Sequence, residues 1–221
     1  MTAEQQMQFP FTKQDEILYW ADRYTEDQKL KRKRQEEDVI KIKCSVENKG
    51  YLTQPNLMEM GRWKDRFTAS EIKNISPARI EAVTRDAFRP GDDWDKLEKL
   101  TALEGIGESR ASVILHLYDN GDYPILDRHA LWSLTIDHKK VDYDEKFWKK
   151  YVKFCREKAD CHGVCMRTLD RALYKFSQSG AATALKTITD DMFFLELKRR
   201  GYNISRDNRE DTTSVGIIKI G

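Results

Sequence analysis

The spacing of apolar residues predicts helices through most of the chain. Between residues 108 and 118, four apolar residues recur at the i, i+3, i+4, i+7 spacing of one helical face: Ala111, Ile114, Leu115 and Tyr118. Similar stripes predict helices over 76–89, 94–103, 128–134, 144–158 and 166–177. A charged helix is also expected over 12–40, and an amphipathic helix over 190–200.

Helix-starting residues support several of these boundaries. Ser76 precedes Pro77, and Thr53 comes shortly before Pro55, so each pair is typical of an N-cap followed by the first helical turn. Asp93 is expected to cap the helix over 94–103 in the same way.

Strand patterns are scarce, so the sequence predicts an all-α fold. Only TTSVGIIKIG, residues 212–221, has the composition of a strand, and one strand forms no sheet. SQSGAATALK, residues 177–186, is typical of a linker. We therefore expect a charged N-terminal segment (1–35), a helical core (36–177) and a C-terminal extension (178–221).

Composition narrows the classes of protein without naming one. The 221 residues carry a formal net charge of only +2, so overall charge does not indicate a nucleic-acid partner. KLKRKR, residues 29–34, is basic and is either a solvated helix face or an arm that contacts phosphates. No apolar run is long enough for a membrane span, and the polar N-terminus is unlike a secretory signal. A cytoplasmic protein is expected.

Two glycines separate the helices predicted over 94–103 and 108–118. The connection Glu104-Gly105-Ile106-Gly107 is short, and glycine permits a sharp turn and a close approach to the backbone. The helix that starts after Gly107 presents N–H groups without internal partners, and such a turn can hold a DNA phosphate. A tight corner between two helices that binds nothing is the alternative.

These residues resemble a known DNA-binding element. The pattern L-x-G-I-G-x-x-x-A-x-x-I-L is similar to the helix-hairpin-helix, and Pro124-Ile125-Leu126-Asp127 is similar to a run in adenine-mismatch glycosylases. His129 completes the D-x-H pattern of endonuclease-III-like enzymes. The chain thus resembles the helix-hairpin-helix superfamily of base-excision DNA glycosylases over residues 94–134. ALWSL and MRTLDRALYKFS resemble a bacterial group of that superfamily, which assigns no substrate.

The resemblance implies a helical glycosylase fold and a set of site residues. Asp127 would be catalytic, because a carboxylate that faces C1′ of the deoxyribose stabilises the positive charge formed as the base leaves. DNA contacts would come from the hairpin and the start of its second helix: Gly105, Ile106, Gly107, Glu108, Ser109 and Arg110. Asp127 could instead serve only as a helix cap.

Ser109 departs from the pattern of the lyase-competent members. Those members place a lysine 18 residues before the aspartate, and this chain has Ser109 at that spacing from Asp127. A hydroxyl cannot form the imine that leads to strand cleavage. The resemblance therefore implies a monofunctional glycosylase that leaves an abasic site, and a non-catalytic DNA-binding protein is the alternative. Either protein would bind double-stranded DNA, and the enzyme would bind it with one base extruded. We expect a monomer.

No cofactor is expected. Many members of the superfamily hold an iron–sulfur cluster with four cysteines, but CREKADCHGVC does not have that spacing, so we expect no cluster. A zinc site built from Cys161, His162 and Cys165 with Cys44 is the less favoured alternative. Cys155 is expected to lie in the core.

A glycosylase also needs an aromatic pocket for the extruded base. Residues of this kind are more often core than pocket residues; the candidates are Trp20, Tyr51, Trp63 and Trp132. Arg62, Lys64 and Arg66 form a basic cluster that either meets phosphate or lies on a solvated face.

Overall fold

The computed structural model describes residues 6–26, 42–43, 46–61, 72–119 and 123–179, and the backbone of 62–64, 202–206 and 215–219. The chain divides into two compact units, Met1–Gln178 and Ser179–Gly221. The predicted boundary between residues 35 and 36, the helix over 190–200 and most of the linker before it lie outside the described residues, as do residues 27–40 of the predicted N-terminal helix.

Helices build the described part of the first unit. They are α1 (Gln14–Glu26), α2 (Gln54–Lys64), α3 (Pro77–Ala87), α4 (Asp93–Thr101), α5 (Glu108–Tyr118), α6 (Arg128–Ser133), α7 (Glu145–Cys161) and α8 (Met166–Gln178), with a 3₁₀ turn at His138–Lys140. No strand occurs in this part, which confirms the all-α prediction for the body of the chain. No described helix is long and apolar enough to cross a lipid bilayer.

The second unit contains a pair of antiparallel strands. Strand β1 (Tyr202–Arg206) pairs with β2 (Val215–Lys219), with Tyr202 opposite Lys219 and Arg206 opposite Val215. The prediction that the C-terminal strand would have no partner was wrong. The short run YNISR alternates apolar and polar residues with the period of a strand, but five residues are a weak pattern.

Local capping explains most of the helix starts. The Ser76 side chain accepts from the Arg79 N–H, as predicted, and Thr53 and Asn56 bond reciprocally at the start of α2. The predicted N-cap of α4, Asp93, was wrong by one residue. Asp92 is the N-cap and accepts from the Trp94 N–H at 2.8 Å, which leaves the Asp93 carboxylate for tertiary contacts.

Helix α5 is the central element of the first unit. Its residues Ala111, Val113, Ile114 and Leu115 have no exposed surface, so the helix is buried around most of its circumference. It packs on α4, α4 packs on α7, and α8 packs on both α1 and α6. The segment that follows α5 is buried from Tyr123 to Leu126, so the backbone before Asp127 is held within the core.

Buried polar contacts fix this segment to its neighbours. Lys96 of α4 pairs with Asp119 at the end of α5, at 2.8 Å and almost without exposure. The Asp93 carboxylate accepts hydrogen bonds from both terminal nitrogens, Nη1 and Nη2, of Arg156 and from the hydroxyl of Tyr123. Burial, reinforced by the hydrogen bond to Asp93, raises the pKa of Tyr123. These contacts tie the hairpin and the following segment to α7 and so limit how they can move.

Candidate active site

The turn between α4 and α5 has the geometry expected of a glycine hairpin. Gly105 has φ +76°, a left-handed conformation that favours glycine. Ile106 is buried, and its N–H donates to the Leu103 carbonyl at 3.0 Å. The buried isoleucine anchors the turn while the glycines on either side remain exposed to solvent.

Helix α5 begins without a side-chain cap. Five other described helices start at a residue whose side chain accepts a backbone N–H: Thr53, Ser76, Asp92, Asp127 and Asp144. The N-cap of α5 is Gly107, which offers no such acceptor. The first N–H groups of an α-helix have no intrahelical partner, so this end of α5 can accept an external anion.

The fold gives no internal reason for glycine at position 107. Its backbone has φ −88° and ψ 179°, an extended conformation that any residue adopts. A Cβ placed on Gly107 would meet no protein atom within 4 Å. The missing side chain thus leaves open space directly beside the uncapped helix start.

A groove of about 780 Å³ runs along this turn. It lies between the start of α3, at residues 74–76 and Arg79, and the hairpin at residues 101–107. Arg79 donates from Nη2 to the Ala102 carbonyl at 2.8 Å, so one wall of the groove is fixed to the other. The groove is open to solvent over the exposed glycines.

Charge at the hairpin is mixed. Glu104, Glu108 and Arg110 are its ionisable residues, and Arg110 donates from Nη1 to the carbonyl of Gly105 and braces the turn. The side chains therefore do not make the hairpin strongly positive. A phosphate at this turn would be held mainly by backbone N–H groups, which bind without reading sequence.

The hairpin and the aspartate segment meet through two serines of α5. Ser109 Oγ donates to the Leu126 carbonyl at 2.7 Å, and Ser112 Oγ accepts the Leu126 N–H at 2.8 Å. Both backbone polar groups of Leu126, its N–H and its carbonyl, are thus bound by α5. These bonds bring position 109 beside the residue that precedes Asp127, across 17 positions of sequence.

Asp127 itself is half-buried at the start of α6. Its backbone is extended, with φ −119° and ψ 136°, and Oδ1 accepts the His129 N–H at 2.8 Å. The carboxylate therefore caps α6, and capping is the role that the sequence offered as the alternative to catalysis. Capping uses one oxygen, and because the group has two, a capping carboxylate can also stabilise a cation beside it.

His129 contacts residues of α8. Its Nδ1 lies 2.9 Å from Ser177 Oγ, and its ring contacts Tyr174 edge-on with centroids 4.9 Å apart. Arg128 Nε donates to His129 Nε2 at 3.4 Å. The imidazole therefore joins α6 to α8.

The aromatic candidates lie in different surroundings. Trp20 is half-buried against Phe176 of α8. Tyr51 is half-buried with the Arg85 guanidinium over its ring, and Trp132 is exposed on α6. The side chains of Trp63, Arg62, Lys64 and Arg66 lie outside the described residues.

The cysteines do not form a metal centre in the described part of the chain. Cys155 is buried in α7, as predicted. Cys161 is exposed, and Cys165 Sγ contacts Thr168 Oγ1 at 3.2 Å. His162 Nδ1 bonds the Lys158 carbonyl. Among the described residues, no three potential metal ligands cluster, and Cys44 is not among these residues.

Two residues beside the site were not expected from the sequence. Ser112 could have been suspected, because it is a polar residue three positions after Ser109 on a helix with an apolar face. Tyr143, in the loop before α7, carries no local pattern. Burial raises the pKa of Tyr143, and the negative charges of Asp127 and Glu108 raise it further.

The chain matches no protein-family model, and comparison with curated proteins and with solved structures finds no match. Inferences about function therefore rest on the residues of this chain and on their geometry.

Proposed function

We propose that this protein is a monofunctional DNA glycosylase that hydrolyses the N-glycosidic bond of a damaged, mispaired or modified base. The observation that carries the proposal is the hydrogen bond from Ser109 Oγ to the Leu126 carbonyl. It joins the start of α5, which can hold a phosphate, to the residue before Asp127. A phosphate anchor and a carboxylate are thus held on one rigid support.

The hairpin supplies the anchor. The uncapped N–H groups at the start of α5 and the open space at Gly107 together suit a DNA phosphate. The groove beside the hairpin gives the neighbouring backbone a path along the surface. Because these contacts are to the backbone, they position a duplex without selecting its sequence.

Asp127 supplies the chemistry. As the bond between the base and C1′ breaks, the sugar acquires oxocarbenium character, and the departing base takes the bonding electron pair. A carboxylate beside C1′ stabilises that charge and can accept a proton from the water that attacks. That proton then neutralises the departing base, so the products are the free base and an abasic site.

Ser109 limits the reaction to base removal. Strand cleavage of the lyase type needs an amine that attacks C1′ and forms an imine. At position 109 the side chain is a hydroxyl already bonded to the Leu126 carbonyl. The neighbouring Arg110 cannot replace the amine, because a guanidinium stays protonated.

A second candidate function is DNA binding without catalysis. It is favoured by the bond between Asp127 Oδ1 and the His129 N–H, which gives the aspartate a structural role that needs no chemistry. The hairpin would then be the whole of the functional site.

An alkali-cleavage assay separates the two functions. The protein is incubated with duplexes that contain uracil, hypoxanthine, an oxidised guanine, an alkylated purine or an adenine mismatch, and the strands are analysed with and without hot alkali. Breaks that appear only after alkali support the monofunctional enzyme. Intact strands throughout, with duplexes still bound, favour the binding protein, and breaks without alkali contradict the role given to Ser109.

Substituting Gly107 with alanine is expected to weaken duplex binding about tenfold, roughly the effect of losing one charge-assisted hydrogen bond. The added methyl group would stand in the open space where the phosphate approaches, and it meets no protein atom. The measurement is a fluorescence-anisotropy titration with an undamaged duplex, and thermal unfolding reports the stability of each variant.

Gly91→Ala is the matched control. Gly91 lies in the loop before α4, and a Cβ there meets only the Arg89 carbonyl oxygen, at 3.9 Å. This variant should bind as the unmodified protein does. Equal affinities for the Gly107 and Gly91 variants would exclude a phosphate at this turn.

A further inference from the structure

The backbone that leads into Asp127 forms a tight turn whose polar groups are bound one after another. The Asp127 N–H donates to the Ile125 carbonyl at 2.9 Å and closes a three-residue turn of the γ type. The N–H and the carbonyl of Leu126, at its centre, are bound by the two serines of α5. The Asp127 carbonyl accepts the Leu131 N–H, also at 2.9 Å. We name residues 125–127 the aspartate turn.

A tyrosine of α7 holds the first carbonyl of this turn. Tyr151 is fully buried, and its hydroxyl donates to the Ile125 carbonyl at 2.9 Å. The same oxygen accepts the Asp127 N–H, and a carbonyl oxygen can accept both bonds because it has two lone pairs. Burial raises the pKa of Tyr151, so the hydroxyl keeps its proton and remains a donor at neutral pH.

A serine of α5 holds the centre of the turn. Ser112 has no exposed surface, and its Oγ accepts the Leu126 N–H and donates to the Ser109 carbonyl, each at 2.8 Å. The hydroxyl thus joins the aspartate turn to the first turn of α5. A buried hydroxyl costs free energy unless its hydrogen bonds are made, and both bonds of Ser112 are made.

We propose that Ser112 and Tyr151 are positioning residues for the Asp127 carboxylate, an inference that rests on the proposed glycosylase function. Each acts through the aspartate turn, which fixes the backbone that carries the Asp127 side chain. The bond from the His129 N–H to Asp127 Oδ1 then fixes the side chain itself. A carboxylate held in place before the sugar becomes positive stabilises that charge without having to reorganise.

Ser112→Ala and Tyr151→Phe each remove one hydroxyl and keep the rest of the side chain. We expect each variant to lower the single-turnover rate of base excision about 10- to 100-fold, because a small misplacement of a catalytic group costs this much. The affinity for an undamaged duplex should stay unchanged, since neither substitution alters Gly107 or the N–H groups at the start of α5.

Two abasic-site analogues test the position of the charge without turnover. A pyrrolidine analogue carries a protonated nitrogen in the sugar ring and imitates the positive transition state, whereas a tetrahydrofuran analogue is neutral. The unmodified protein should bind the pyrrolidine duplex more tightly, as expected for a transition-state analogue. Ser112→Ala and Tyr151→Phe should reduce this preference about tenfold and leave the affinity for the tetrahydrofuran duplex unchanged.

Thr84 of α3 provides the matched control. Like Ser112 it has no exposed surface, and its Oγ1 accepts the Leu52 N–H at 2.9 Å and donates to the Ile80 carbonyl at 2.8 Å. Thr84→Val therefore removes an equivalent buried hydroxyl from another helix. All three variants should unfold at a lower temperature. The Thr84 variant should nevertheless keep the excision rate and the preference for the pyrrolidine duplex.

A variant at position 112 or 151 that keeps both the excision rate and the pyrrolidine preference would overturn the role of that residue and leave the proposed function intact. Equal losses in Thr84→Val would also overturn the inference, because they would trace the effect to stability. If the unmodified protein releases no base from any panel duplex and binds both analogues equally, the proposed function fails and this inference fails with it.

Discussion

Replacing Asp127 with asparagine is expected to lower the rate of base excision about a thousandfold, a loss comparable to removing one strong electrostatic stabiliser from a transition state. Asparagine keeps the shape of the side chain and an oxygen that can accept the His129 N–H. It is also as good an N-cap as aspartate. The substitution therefore removes the negative charge and keeps the cap, which separates the two roles that the structure allows for this residue.

The measurement is the single-turnover rate of alkali-dependent cleavage, with duplex affinity and thermal unfolding measured alongside. Affinity and stability should stay close to those of the unmodified protein, because neither the hairpin nor the cap is changed. Asp92→Asn is the matched control, since Asp92 also caps a helix through its side chain but lies at the start of α4. Full activity in the Asp127 variant would show that its carboxylate serves only to cap α6.

Replacing Ser109 with lysine is expected to introduce a lyase activity that the unmodified protein lacks. Ser109 points toward the Leu126 carbonyl, so a longer side chain at this position extends along the aspartate segment. An amine there can attack C1′ once the base has left, with loss of water to form an imine. We expect strand breaks without alkali and a covalent complex that borohydride traps by reducing the imine.

The control is Arg110→Lys, which places an amine one residue further along α5, at a position whose present side chain turns back to the Gly105 carbonyl. No trapped complex is expected with this variant or with the unmodified protein. Equal trapping by both lysine variants would mean that position 109 does not face the sugar. Trapping by the unmodified protein would show that another lysine reaches the site.

The accuracy of the sequence predictions depended on how local their causes are. Helix α5 begins at Glu108 and ends at Tyr118, as its apolar spacing and the preceding glycine predicted. The start of α4 was misplaced by one residue, because Asp92 and Asp93 are equally good caps in isolation. Tertiary contacts decide which of the two residues caps α4, because the Asp93 carboxylate accepts hydrogen bonds from Arg156 and Tyr123 and is not available to cap.

The same distinction between local causes and tertiary contacts applies to the candidate site. The sequence by itself determined the helices, the glycine turn and the interval between Ser109 and Asp127, because helical periodicity, caps and glycine conformations act within a few residues. Only the tertiary structure decided that α5 binds the backbone N–H and carbonyl of Leu126 through two serines. Such contacts depend on how helices distant in sequence pack together, and local patterns do not encode that packing.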